Sequence, residues 1–421
     1  MITKIRNIIL SNTFKDTAVL FMGSIIASLF TIMFTILAGR ELGPELFGII
    51  SAALSFIAIM IAIGDMGLGS TLFRYVSNYL KEKKFDKAQE TLNTVFAIRI
   101  ISACIFIVVL TLLSPVISSF VLKSEEKMLT VFSALAIAGF LIVDFQIQVF
   151  QSQKNFGLSA LLSMLIGGIR LALTLMMSSF FGLTLINTMM VYAGSYIISF
   201  IIAFFWQKTQ VVFRINYKNI EKGFVNFSSW MALSRIAGAV NGRIDTILLL
   251  QVLTPYQTGI FSAARQLSFG IPLLAGSFAR VLAPRYASLK SNDLKKYFMK
   301  TVWLTVLMCF GLLAGIVVSP YVIAFFGDKY SVASGLLKWL IAGSIPFMLS
   351  VPSVNLLIYA FSKPKLITLL TFIQLPFVIL GIIYLTPTRG VFAPVIVGGL
   401  SNLFLFIATY VCVIYEFNKS K

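Results

Sequence analysis

Twelve runs of about twenty apolar residues, separated by short polar stretches, constrain this chain more than any other feature. A helix rises about 1.5 Å per residue, so each run is long enough to cross the hydrocarbon of a bilayer, about 30 Å. Inside hydrocarbon every backbone N–H and C=O needs an internal partner, which selects helices or a closed barrel. A barrel is built from alternating strands of about ten residues, and these runs are twice that length. The runs fall at 17–38, 46–63, 91–113, 129–150, 158–181 and 186–206, then at 227–253, 259–282, 298–318, 332–359, 366–385 and 391–415. The composition agrees: 58% of the 421 residues are hydrophobic and 12% charged, against about a quarter charged in soluble domains. The fold class expected is an all-α polytopic membrane protein with about twelve transmembrane helices.

Lys and Arg number 34 against 15 Asp and Glu, but they lie in short clusters between the apolar runs and form no basic domain for nucleic acid. Their distribution is topological. One alternate set of loops holds 22 of them, including Lys81, Lys83, Lys84 and Lys87, while the other set holds six: Arg40, Lys123, Lys127, Lys329, Lys338 and Arg389. The positive-inside rule then places both termini in the cytoplasm, as an even number of spans requires. The first run is longer than the apolar region of a signal peptide and is expected to be a retained anchor. The loops are too short for a soluble catalytic domain. There is no histidine, and Cys104, Cys309 and Cys412 all sit in apolar runs, so neither a His/Cys metal site, a His-based triad, a cofactor nor a disulfide is expected.

Displacing the chain by 211 residues aligns ILAGRELGPELFGIISAA (36–53) with ILLLQVLTPYQTGIFSAA (247–264), with nine of eighteen positions identical. The identities include Pro44/Pro255, Gly48/Gly259 and a Ser-Ala-Ala triplet. Two homologous six-helix lobes follow, at 1–206 and 227–421, with a cytoplasmic linker at 207–226. Because six is even, both lobes enter the membrane from the same side, a parallel repeat with a substrate path through a central cavity.

The segment LGPELFGIISAALSFIAIMIAIGDMGLGSTLFRYVSNYL (42–80), and the stretch from Ser229 through RIDTILLL and LTPYQTGIFSAARQL to Leu267, carry a family likeness. The sequence resembles the polysaccharide transporter branch of the multidrug/oligosaccharidyl-lipid/polysaccharide exporter superfamily, which includes the O-antigen flippases of lipopolysaccharide assembly. The resemblance implies a multi-pass protein of the bacterial or archaeal plasma (inner) membrane. Its expected cargo is an undecaprenyl-diphosphate-linked oligosaccharide, moved to the outer leaflet by alternating access. The partners it implies are that cargo, membrane lipids, and polysaccharide polymerase and assembly proteins, with an ion gradient as a driving force and no ATP site. Gly64-Asp65-Met66-Gly67-Leu68-Gly69 follows a helix rather than a strand, so it reads as helix-end packing and not as a nucleotide loop.

Arg99, Arg170, Arg235, Arg243 and Arg265 lie inside spans, with Asp144 and Asp245. At about 2.5–3.5 kcal/mol per central charge, seven such groups facing lipid would cost about 17–25 kcal/mol, so they are expected to face partners or a watery cavity. Five arginines against two aspartates leave three positive charges, suited to an anionic diphosphate because guanidinium forks match phosphate oxygens. Depth along the helices pairs Asp245 with Arg265 and Asp144 with Arg99, as structural pairs or ion-coupling groups. Arg170, Arg235 and Arg243 lack a carboxylate partner evident in the sequence and are the leading cargo contacts. Pro272, Pro346, Pro352, Pro376 and Pro394 all interrupt second-lobe spans. Other readings remain. A multidrug antiporter of the same superfamily would use membrane carboxylates, a peptidoglycan-precursor flippase would carry extra helices, and a membrane glycosyltransferase or polymerase would need a large outer loop or paired catalytic carboxylates.

Overall fold

A computed structural model describes residues 12–206, 211–214, 222–289 and 291–419. Most of the expected linker, both chain termini, and Lys4, Arg6, Lys208, Lys218, Lys290 and Lys421 of the basic loop set lie outside the described residues. The described residues are helical and contain no strand. In order the helices are α1 (Asn12–Asp65), α2 (Leu68–Lys81), α3 (Phe85–Leu112), α4 (Lys127–Ser152), α5 (Phe156–Phe181), α6 (Leu185–Trp206) and α7 (Lys222–Val252). There follow α8 (Pro255–Ser268), α9 (Gly270–Ser288), α10 (Ser291–Ala324), α11 (Ala333–Asn355), α12 (Pro364–Arg389) and α13 (Ala393–Lys419).

Nine stretches of the described residues are long and apolar enough to cross a bilayer. Two of them, Val19–Asp65 with 47 residues and Pro364–Lys419 with 56, are each long enough for two crossings at about 20 residues apiece. The first is broken at Gly43, whose φ of 72° and ψ of 170° are not helical, and Pro44 begins the next helix. α7 is not among the nine because its charged residues dilute its hydropathy, although its 31 residues suffice to span. Counted by crossings, the expected twelve spans are present. α8 and α9 share one of them, broken at Phe269 three residues before Pro272, which cannot donate to the preceding turn. Pro394 departs from expectation. It lies in the first turn of α13, where a missing N–H costs no helix bond, and so it starts a helix instead of interrupting one.

By contacts the chain divides into two compact units: residues up to Leu42 with Ala52–Ala239, and Gly43–Ser51 with Val240 onward. In the first, α4 packs against α2, α3, α5 and α6. α2 presents Leu68, Leu72, Val76 and Tyr79 at helical spacing to a core shared with Leu92 and Val95 of α3, Phe145 and Val149 of α4, and Phe224 of α7. In the second, α11 packs against α8, α9, α10 and α13. Its Met348 and Val351 join Tyr286, Phe298 and Val413 in the core.

Gly43–Ser51 of the first copy of the repeat lies in the second unit, where it meets the second copy. A Cβ on Gly48 would lie 2.0 Å from the Pro255 carbonyl oxygen, and one on Gly259 would lie 1.8 Å from that of Pro44. The contact is reciprocal: the proline carbonyl of each copy lies where the glycine of the other has no side chain. Thr254 caps α8 with a box closed by Gln257, a role that Gly43 replaces with backbone geometry in the other copy.

Candidate functional site

The charges inside the helices form three separate groups, two in the first unit and one in the second. The first group centres on Asp65. The second span ends there, Gly67 turns the chain with φ 69°, and the first turn of α2 returns the N–H of Gly69 to the Asp65 carboxylate at 3.2 Å. A Cβ at Gly67 would lie 2.3 Å from the Ser228 carbonyl oxygen, and the Ser228 hydroxyl donates to the Met66 carbonyl at 2.6 Å, so α7 packs directly on this turn. Asp65 is 2% exposed. It accepts from Arg99 Nη2 and, at 2.5 Å, from Arg235 Nη1. Arg99, 1% exposed, also donates to Asp144 at 3.1 Å and to the Leu141 carbonyl at 3.0 Å. Two guanidinium groups and two carboxylates thus form one electrically balanced network drawn from α1, α3, α4 and α7.

The second group is Arg170 on α5. Its guanidinium carbon lies 3.9 Å from the ring centre of Tyr192, 5.0 Å from that of Tyr196 and 5.7 Å from that of Phe34. Nε donates to the Ser195 hydroxyl at 3.3 Å, while Nη2 is buried without a hydrogen-bond partner. At 4% exposure and with no carboxylate against it among the described residues, this cation is held by aromatic faces.

The third group is in the second unit. Arg265 Nε donates to Asp245 at 2.8 Å and Nη2 to the Gly242 carbonyl at 3.3 Å. Asp245 also accepts the Thr246 N–H at 2.7 Å. The centre of the Phe269 ring lies 4.1 Å from the Arg243 guanidinium carbon and 5.3 Å from that of Arg265, so both cations share one aromatic ring at the break between α8 and α9.

The pairs Arg99–Asp144 and Arg265–Asp245 form where depth along the helices places them. Arg235 departs from expectation, because it has a carboxylate, Asp65, on a segment that the sequence reading assigned to helix-end packing. Counting Asp65 lowers the interior excess from three positive charges to two. The signal for Asp65 was present: a lone acidic residue at the end of an apolar run, ahead of the polar stretch that leads to the span of Arg99. Outside the spans, Lys84 pairs with Glu82 at 2.6 Å and holds its carboxyl below the usual range. Among the described residues no group of three or more Asp, Glu or Cys is set to hold a metal ion.

Among solved structures, the chain superimposes on a multidrug resistance MATE family transporter of the MOP superfamily in an inward-facing conformation, with a TM-score of 0.73, 14% identity and coverage of 93% of this chain and 95% of that one. It matches the lipid II flippase MurJ, inward closed, at a TM-score of 0.73 and 14% identity over 95% of this chain and 89% of that one. A MOP superfamily transporter from Pyrococcus furiosus gives 0.67 and 14% over 95% and 94%. At such identities the likeness is one of fold. No curated protein matches the sequence. A profile of the polysaccharide biosynthesis protein family does match, over residues 13–290. With about two thirds of its length inside that profile, and the MOP exporter fold throughout, the chain belongs to the polysaccharide biosynthesis protein family.

Proposed function

We propose that this protein is a flippase that moves a lipid-linked oligosaccharide, carried on undecaprenyl diphosphate, from the cytoplasmic to the outer leaflet of the plasma membrane by alternating access. The observation that carries this reading is Arg170, a cation buried among membrane-spanning helices with no carboxylate against it among the described residues. A desolvated, uncompensated positive charge stabilises an anion far more than a solvated one does, and a diphosphate supplies that anion. Arg235 and Arg243 are proposed as cargo contacts, and Arg99 and Arg265 as the paired cations beside them. Arg235 is the most open of the first-unit set, with its side chain 39% exposed. A multidrug exporter shares the fold, but Asp65, Asp144 and Asp245 each already accept a hydrogen bond from an arginine, which disfavours a cation-exchange role for them.

The test is flipping of a fluorescent undecaprenyl-diphosphate sugar in proteoliposomes. Replacing Arg170, Arg235 and Arg243 together with Gln should slow flipping by about tenfold or more while the protein still inserts and folds. Lys at these positions should restore part of the rate, because it returns charge without the planar fork. A folded triple variant that flips at the wild-type rate removes the cargo role.

Orientation is proposed with both termini in the cytoplasm, from the bias of loop Lys and Arg. In a chain lacking its native cysteines, Lys83→Cys should resist a membrane-impermeant thiol reagent in intact cells and Asp328→Cys should react. The opposite pattern inverts the protein.

A further inference from the structure

An anion can use Arg170 only if it can reach it. Arg170 is 4% exposed, with the rings of Phe34, Tyr192 and Tyr196 against it, so in this arrangement no ligand touches its guanidinium. One wall of the box has to move, and the three rings are not equally free. Phe34 on α1 and Tyr196 on α6 are 1% and 5% exposed. Tyr196 is also held from α4: a Cβ on Gly139 would lie 2.9 Å from the Tyr196 Cβ, and the rings of Phe140 and Tyr196 meet edge to face with centres 5.5 Å apart. Interiors are close-packed, so rings this deeply buried turn out only if their neighbours give way with them. Tyr192, one helical turn before Tyr196, is only half-buried. It is nevertheless the ring nearest the cation, 3.9 Å from the guanidinium carbon.

Little holds the Tyr192 side chain. Its hydroxyl accepts from that of Tyr196 at 3.3 Å, longer than an ordinary bond between oxygens, and its ring makes the cation–π contact with Arg170. Its backbone is fixed by contrast, because the Ser195 hydroxyl donates to the Tyr192 carbonyl at 2.7 Å and accepts from Arg170 Nε at 3.3 Å. The ring can therefore turn while the helix stays. A helical tyrosine has two ordinary χ1 wells, at about 180° and about −60°, so a single rotamer step takes the ring off the cation. We infer that Tyr192 is the lid of the Arg170 box, closed over the guanidinium when the site is empty and turned out when an anionic group enters. Tyr192 is a positioning residue in this scheme. With the ring in, its face stabilises a buried charge that has no carboxylate against it among the described residues. With the ring out, Arg170 Nη2, which has no hydrogen-bond partner, is the donor that meets the anion. The inference rests on the cargo reading of Arg170 for the anion, whereas the movement of the ring is measurable without cargo.

The test is modification of arginine by phenylglyoxal in the purified full-length protein, with the rate at Arg170 read from its peptide by mass spectrometry. Arg99, buried in the same unit, is the internal reference for loosening of the fold. Tyr192→Phe keeps the ring and loses the hydroxyl tether, so Arg170 should react about fivefold faster, the factor that one neutral hydrogen bond is worth. Tyr196→Phe breaks the same bond from its other end and should match it. Tyr192→Ala removes the lid, and Arg170 should react about tenfold faster or more, since the cation–π contact goes as well. Arg99 should keep its wild-type rate in all three. The inference is overturned if Arg170 keeps its wild-type rate in either Tyr192 variant, or if Arg99 speeds up in parallel, which would make Tyr192 a part of the packing. Inorganic pyrophosphate is the probe for the anion, and it should slow the modification of Arg170 in Tyr192→Ala. Faster modification without protection by pyrophosphate would count against the cargo reading of Arg170 alone. Unchanged modification beside a triple Gln variant that no longer flips would count against the lid alone.

Discussion

In both units the fourth span is the hub, α4 in the first and α11 in the second, yet the two hubs are polar in different ways. α4 carries Asp144, tied through Arg99 to Asp65 and from there to Arg235. The third and fourth spans of the second unit, on α10 and α11, hold no Asp, Glu or Arg within residues 298–318 and 333–355. On α11 the polar side chain Asn355 is buried, as Asp65 and Arg99 are, at 5% exposed, but it donates to the Val351 carbonyl of its own helix, and nearby Ser353 bonds Thr409 across to α13. The second unit therefore keeps the packing plan of the first without its ions. Shape and charge are separate layers of this fold: glycine, proline and apolar spacing are repeated, and the ionic network is not.

The difference is broken most severely at Asp65. Asp65→Asn removes the carboxylate that Arg99 and Arg235 share, leaving two buried or half-buried cations with only Asp144 between them. Breaking a buried pair from one side costs about 3–5 kcal/mol, whereas Asn355→Ala, losing one hydrogen bond within a helix, should cost about 1 kcal/mol plus its packing. Apparent melting temperatures in detergent should rank Asp65→Asn far below Asn355→Ala. Equal losses would show that the network of the first unit is no more than polar packing.

The shared layer is tested at the reciprocal glycines. Gly48→Ala and Gly259→Ala each place a Cβ within 2.0 Å of a proline carbonyl, so both should lose about 1–3 kcal/mol, and by similar amounts. A silent variant at one position with a damaging one at the other would mean that the two copies of the turn are not equivalent.

The shape layer was the legible one. Span number, the paired turns and the all-helical class follow from run length and from Pro44, Gly48, Pro255 and Gly259, because the bilayer imposes a length and the turn imposes residue types. The charge layer was legible only where two opposite charges lie at one depth on consecutive spans, as in Arg265–Asp245 and Arg99–Asp144. Arg235 lies 170 residues from Asp65, and no local spacing links them. The aromatic box of Arg170 was hidden for a different reason: Phe34, Tyr192 and Tyr196 are ordinary apolar-span residues until α1, α5 and α6 are brought together.

The smallest effect is expected at the ion pair of the second unit. Arg265 and Asp245 have side chains 24% and 11% exposed, so solvent or a lined cavity screens them more than it does Arg99. After Asp245→Asn, Arg265 keeps the Gly242 carbonyl and the face of Phe269, and the Asn side chain still accepts a hydrogen bond. The loss should be about 1 kcal/mol, in the range of screened pairs. A double-mutant cycle with Arg265→Gln isolates the pair from its neighbours. The coupling should be small beside that of Asp65 with Arg99 measured in the same way. Coupling as large in the second unit as in the first would mean that the two units bury charge alike, and the separation of shape from charge would then fail.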